Sequence, residues 1–439
     1  MLGGGTYQAQ NKKLPGAYIN FVSKATGTTV FSERGYVGYA HPFGWGEEGK
    51  IIEITADDFA TKAMQYFGYE YTAPELRPIR EIFRTATVIY TYKLRAGGDK
   101  AGTQLATAKF AGTAGNKISV KVTNDIDETG KFVVDTFFDR IKVDTQKVSS
   151  AKDLVANDYC SFASGATLSA SAEGDASSDY GTNLRGGTDG TINANAHAQF
   201  MSALESYPSV NVIAYDGEDA LITNQYAAWA VRMRNNVGIK VQAVVANCAY
   251  DNEAVVNVVN GTKLVPWAAG VEAGLGVNES ATNLSYDGEL TEDEIGAGTR
   301  KQNDLEKCID KGQFVIHLVD GEPRVLKDIN SLVTLSDTKG AVFQDNKTIR
   351  VIDQIARDIS GIFNNTYLGE VPNDEAGRLS FKSQIVNEHR TLVSLRAIEN
   401  FSEDDVTVVQ AEDKNAVAVL DAVSITRTME KLYMKTVVG

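Results

Sequence analysis

The sequence predicts an α/β plus all-β multidomain protein. It has a central parallel-sheet α/β domain, an inserted β-sandwich or barrel-like domain, an α+β C-terminal domain, and extended arms at both ends. Three observations predict this. Apolar strands alternate with helices at βαβ spacing between about Leu184 and Asp328. Short β-rich runs broken by turn residues fill the stretch from about Thr87 to Asn183. β-forming apolar segments lie near both ends, where chains usually fray.

Residues 1–24 form an arm with a glycine-rich lead, a Pro15-Gly16 turn, and a strand over Tyr18, Ile19, Asn20, Phe21 and Val22. Residues 25–87 hold a compact α+β piece. In it Thr55-Ala56-Asp57-Asp58 caps an amphipathic helix carrying Phe59, Met64 and Phe67, stopped near Gly68. In the β-rich stretch, "TVIYTYKL", "ATAKF", "KISVKV" and "KFVVDTFF" are strands, and "NDIDETGK" is a hairpin connection. A small-residue run, "ASGATLSASAEGDASSDYG", reads as a loop or linker.

The pattern then becomes β/α. "NAHAQFMSALESY" and "EDALITNQYAAWAVRMRNN" are helices, and "VNVIAY", "IKVQAVVAN" and "FVIHLVD" are buried strands. Further on, Ile349, Ile352, Ile355, Ile359, Ile362 and Phe363 make one apolar stripe at helical spacing. A second helix starts at Asn373-Asp374-Glu375 and runs towards Ala397. "DVTVVQ", "AVAVLDAVSI" and "EKLYMKTVV" follow as strands. In the last, Leu432, Met434, Thr436 and Val438 share one face, and Tyr433, Lys435 and Val437 the other.

The 439 residues are 43% hydrophobic and 23% charged, which is globular composition and not that of a disordered chain. No apolar run approaches the roughly 20 residues of a membrane helix. The N-terminus lacks the apolar core of a signal peptide, so Sec export is not expected. A net charge of −14 argues against nucleic acid as a partner. The ends differ from the body. Residues 1–24 carry Lys12, Lys13 and Lys24 with no acid, and residues 422–439 carry Arg427, Lys431 and Lys435 against Glu430.

Chemistry is sparse. "GTAGNKIS" has the wrong spacing for a phosphate-binding P-loop. "LRGGTDG" reads as an interdomain turn. Cys160, Cys248 and Cys308 are scattered, without metal-ligand spacing. His41, His197, His317 and His389 sit in four separate segments; His317 reads as buried or half-buried and His389 as exposed on a helix. "ELTEDEIG" lacks the pattern of a calcium loop. No catalytic residue, metal site or cofactor is assigned.

Taken in order, "GGGTYQAQNKKLPGAYINFVS", "AGTAGNKISV", "LRGGTDG", "NSLVTLSDTKGAVFQDNKTIRVIDQIARDISGIFNNTYLGEVPNDEAGRLSFK" and "MEKLYMKTVVG" resemble the tail sheath proteins of contractile injection machines. That family spans myophage tails, PBSX-like prophages and R-type bacteriocins. The resemblance implies an N-terminal arm (1–24), an N-terminal part of the sheath core (25–87), an inserted β domain (88–187), a central α/β domain (188–329), a C-terminal sheath domain (330–420) and a C-terminal arm (421–439). It also implies stacked hexameric rings around an inner tube, assembled in a bacterial host cytoplasm. Contraction would drive the tube through a target envelope, with baseplate and tail terminator proteins as further partners and no insertion of the chain in a membrane.

On this resemblance a hairpin carrying Val406, Val408, Val417 and Val419 receives an N-terminal strand (Tyr18–Val22) and a C-terminal strand (Leu432–Val438) from two neighbours. Arg350, Arg357, Arg378 and Lys382, on the two C-terminal helices, are the candidate tube contacts. Two other classes remain: a surface-layer or other lattice protein, and a cytoplasmic α/β enzyme.

Overall fold

The computed structural model describes residues 33–170, 179–193 and 195–438. Its contacts divide the chain into two compact units. Among the described residues, the larger is drawn from 33–357, 392–401 and 423–438, and the smaller comprises 358–391 and 402–422.

The larger unit is built on a seven-stranded sheet. Its order is Gln313–Phe314, Val255–Val258, Gln242–Ala246, Val212–Tyr215, Tyr36–His41, Val88–Lys93, Ile51–Thr55. All pairings are parallel except the last, which is antiparallel. Side chains alternate between two cores, as the period of two requires. Val212, Ala214, Val244, Ala246, Val256 and Val258 face one core with Phe59, Ile79 and Trp267. Ile213, Ala243, Val245 and Val255 face the other with Phe200, Tyr226 and Trp229. Both faces are therefore dry, as in other parallel sheets covered by helices.

The helix Ala56–Phe67 follows its sequence signals. Thr55 accepts the Asp58 N–H at 3.1 Å, and Gly68 closes the end in a left-handed conformation with φ +75°. The helices Ala196–Leu204 and Ala220–Arg232 also fall where the periodicity places them.

Three expectations are corrected. "TVIYTYKL" is not a strand of the β module: Val88–Lys93 is buried at every position and pairs with Tyr36–His41. Its alternation of apolar and hydroxylated residues looks half-buried, yet the tyrosine rings pack and the Thr91 hydroxyl is enclosed. Strands drawn from 36–93 thus complete the sheet expected from 188–329 alone. "FVIHLVD" is not one sheet strand. It breaks after Phe314, and Ile316–Val319 pairs antiparallel with Glu322–Val325, leaving His317 half-buried.

The β module consists of a four-stranded sheet, ordered Ile141–Val148, Phe132–Phe138, Ile118–Asn124, Thr182–Asn183, and a pair formed by Ala106–Ala108 and Cys160–Phe162. Its core includes Trp45, whose ring meets Phe110 and Phe138 edge-on. The two glycine clusters meet at the module's base. Asn116 and Gly187 exchange hydrogen bonds at 2.8 and 2.9 Å, and Asp189 accepts from the Thr113 N–H at 2.8 Å. A Cβ on Gly112 would lie 1.4 Å from the Gly44 carbonyl oxygen, so the motif is a close backbone crossing.

Two buried arginines, Arg350 and Arg234, and the half-buried Arg357 hold the helix Asn346–Ile362 where it begins in this unit. Arg350 reaches Glu272 at 2.9 Å, Asp328 at 3.4 Å and the Glu279 carbonyl at 2.7 Å. Arg234 makes a two-pronged pair with Asp353, both contacts at 2.6 Å. Arg357 donates to the carbonyls of Ser209, Val210 and Lys240. Burial pushes the Glu272 carboxyl well above its ordinary range, with Asp328 adding to it and Arg350 opposing.

Candidate polymerisation surface

In the smaller unit, Val406–Gln410 and Val417–Asp421 are rich in β-branched residues and pair antiparallel, with Val408 opposite Val419 and Val406 opposite Asp421. The polar loop between them closes with the Ala411 N–H on the Ala416 carbonyl at 3.0 Å, and the Asp413 carboxylate accepts the Asn415 N–H. Among the described residues these two strands form a sheet by themselves, so both outer edges keep free N–H and C=O groups. Val409, Val419 and Leu420 are exposed on it.

A two-stranded ribbon is marginal alone, and a bare apolar edge is a template for another strand. The long edge strand of the β module, Ile141–Val148, is guarded differently. It carries Lys142, Asp144 and Lys147, and the lysines are paired to Asp135 and Asp125. The hairpin has no lysine on either strand.

The helix Glu375–Ser394 and Asn373, two residues before it, anchor the ribbon at its two ends. His389 Nε2 lies 2.8 Å from Asp421 Oδ2, and Nδ1 contacts the Glu388 carboxylate. Burial lowers the imidazole's proton affinity, but the hydrogen bonds to Asp421 and Glu388 outweigh it and raise its pKa to about 9. At the other end, Asn373 Nδ2 donates to the carbonyls of Lys414 at 2.8 Å and Ala416 at 2.9 Å. The expectation that His389 is exposed is corrected: it is fully buried. Polar neighbours in sequence hid a position whose partner, Asp421, lies 32 residues away.

A cleft of about 550 Å³ opens beside the Val417 end of the ribbon. Phe363, Tyr367 and Phe381 form its aromatic floor, with ring centroids 5.6 and 4.9 Å apart along the series through Phe381. Leu368 and Val371 stand exposed on its wall. A Cβ on Gly377 would lie 2.2 Å from the Pro372 carbonyl, which fixes how closely the helix start approaches that wall. No sequence motif marked this cleft; of its aromatic residues, the periodicity picked out Phe363 alone, as the end of a helix stripe.

The Tyr18–Val22 segment lies outside the described residues. Leu432, Tyr433, Met434, Lys435, Thr436, Val437 and Val438 are all exposed and are assigned to no strand among the described residues. Of the four candidate tube contacts, Arg350 and Arg357 do not face outward. Arg350 is fully buried on its carboxylates, and Arg357 spends its guanidinium on backbone carbonyls. Their shared helix has one face closed against the larger unit, which periodicity could not distinguish from the solvated one. Arg378 and Lys382 are half-buried, and Arg378 donates to the Asn373 carbonyl at 2.9 Å. Among the described residues, no helix is long and apolar enough to cross a membrane, and no group of three acidic, histidine or cysteine side chains could hold a metal ion.

The sequence matches four family descriptions in succession. These are the tail sheath protein Gp18 domain III N-terminal region (34–94), the phage tail sheath protein beta-sandwich domain (85–189), the phage tail sheath protein central domain (190–331) and the phage tail sheath C-terminal domain (338–439). It is 31% identical to the phage-like element PBSX protein XkdK of Bacillus subtilis (strain 168), covering 100% of both chains. It is similar to the crystal structure of a sheath tail protein from Desulfitobacterium hafniense, with a TM-score of 0.80 and 32% identity over 95% of this chain and 99% of that one. It also shares the fold of the helical sheath of the anti-feeding prophage in its contracted state, with a TM-score of 0.57 and 12% identity over 97% and 99%.

Proposed function

Because this chain belongs to the phage tail sheath protein family, and so serves a structural and not an enzymatic role in a phage-like contractile system, we propose that it polymerises as stacked hexameric rings around an inner tube and links its subunits by exchanging both terminal strands. The observation that carries this reading is the ribbon of Val406–Gln410 and Val417–Asp421, whose two edges are unpaired among the described residues, on a chain whose Leu432–Val438 segment is exposed and belongs to no strand among them. One edge takes Tyr18–Val22 of one neighbour, and the other takes Leu432–Val438 of a second. Backbone hydrogen bonds do not depend on a fixed side-chain interface, so such links survive large rotations of the bodies they join. The lysines flanking both segments suit an acidic neighbour.

Contraction then draws on interface burial and not on a fuel molecule. At about 25 cal/mol per Å² of apolar surface, a modest gain in contact yields a few kcal/mol per subunit, summed over the sheath. Assembly takes place in the bacterial host cytoplasm, with the inner tube, baseplate and tail terminator proteins as partners. Arg378 and Lys382 remain the candidates for a releasable polar contact with the tube.

Deleting residues 1–23, or 430–439, tests the reading. Each truncated protein is expected to stay folded by circular dichroism and to form no cylinders in negative-stain microscopy. Normal striated sheaths from either deletion would refute strand exchange by that arm.

A further inference from the structure

The described residues carry both halves of an apolar contact and leave it open among themselves. One half is the cleft floored by Phe363, Tyr367 and Phe381, with Leu368 60% exposed on its wall. The other is the segment ending at Val438, where Leu432, Tyr433, Met434, Val437 and Val438 are each at least 78% exposed. An exposed apolar segment with a complementary pocket elsewhere on the same chain makes a head-to-tail contact, and such contacts propagate instead of closing. Single exposed apolar residues need no explanation, but five within seven positions do.

We propose that this cleft receives Tyr433 of a second copy, whose Leu432–Val438 segment runs along the free edge of the Val417–Asp421 strand. The inference rests on the strand-exchange reading and adds to it the edge, the pocket and the side chain that fixes the register.

Three features select this occupant. Val417 lines the cleft, so a strand added to that edge passes over it. Alternation along a strand then places Tyr433, Lys435 and Val437 on one face, with neighbours on that face about 7 Å apart. Tyrosine suits a pocket with an aromatic floor and an open mouth, because its ring is buried while its hydroxyl stays wet. Charge agrees as well. Lys431 and Lys435 are exposed on the segment, while Glu370 on the cleft wall and Asp374 and Glu375 at the start of the adjoining helix are exposed acids. With Tyr433 seated, Lys435 lies one same-face step beyond it, within reach of these acids.

The test uses the full-length chain. A Leu368→Cys protein mixed with a Tyr433→Cys protein, under mild oxidant, is expected to give a disulfide-linked dimer. Neither protein alone should give it, since Cys160, Cys248 and Cys308 are buried. Leu368→Glu should cut sedimentable polymer at least tenfold with an unchanged circular dichroism spectrum, because Leu368 is exposed. Should that variant unfold, the cysteine pair decides alone.

If deletion of 430–439 blocks assembly while Leu368→Glu assembles normally and the cysteines do not link, the cleft assignment is overturned and strand exchange stands. If the deletion assembles normally, both fail. A Leu368→Cys/Tyr433→Cys double variant that links only within one chain at high dilution overturns the second-copy assignment.

Discussion

His389 Nε2 stands 2.8 Å from the carboxylate of Asp421, so a fully buried helix imidazole holds the last residue of a strand whose outer edge is unpaired among the described residues. The ribbon can present free backbone groups without dissolving because its ends are fastened from behind, here and at Asn373.

The pair makes the ribbon sensitive to alkali. The folded pKa of His389 is about 9, above its ordinary 6.5. The extra stability is therefore complete below about pH 6.5 and is lost as pH rises through about 9; it amounts to about 3 kcal/mol at most. Amide hydrogen exchange over residues 406–421, corrected for intrinsic rate, is expected to speed up between pH 7 and pH 10. In Asp421→Asn this extra pH dependence should shrink.

Arg350 is a folding residue. Replacing it with Met leaves Glu272 and Asp328 facing each other in a dry interior, a change that costs about 3–5 kcal/mol when one partner of a buried pair is removed. Thermal unfolding of the unassembled chain should show a clear drop in midpoint. Arg350→Lys should recover only part of it, because the fork to the Glu279 carbonyl is lost.

Lys382→Glu should behave in the opposite way. It alters a half-buried helix position with no strong partner geometry, so stability should change by within about 0.5 kcal/mol. Co-sedimentation with purified tube protein should weaken by several-fold if this side chain meets the tube; unchanged co-sedimentation would remove it as a contact.

Val419→Lys gives the ribbon the protection that Ile141–Val148 already has. Val419 is exposed, so the monomer should remain folded, while a lysine on the ribbon opposes strand addition. Analytical ultracentrifugation is expected to show monomer at concentrations where the parent chain polymerises.

Gly377→Ala probes the cleft wall. The new methyl group would meet the Pro372 carbonyl at 2.2 Å, so the 371–373 segment must shift. Assembly should fall more than thermal stability does, a comparison made on one preparation by light scattering and calorimetry.

Local rules in the sequence determined much of this protein. Thr55 and Gly68 bound their helix, the β-branched runs at 406–410 and 417–421 pair as a hairpin, and the apolar strands near Val212 and Val244 lie in a parallel sheet. These features depend on neighbours within a few residues, or on a periodicity that any matching element would satisfy. Tertiary structure alone decided the rest. Val88–Lys93 joined the central sheet because Tyr36–His41 offered it an edge and helices covered both faces. Arg350 and Arg378 share a helical charge pattern, yet one is sealed on two carboxylates and the other is half-buried. His389 found Asp421 across 32 residues, and Phe363, Tyr367 and Phe381 became a cleft only once the chain turned at Pro372. Burial and long-range partners are set by the packing of distant segments, which periodicity and composition do not encode.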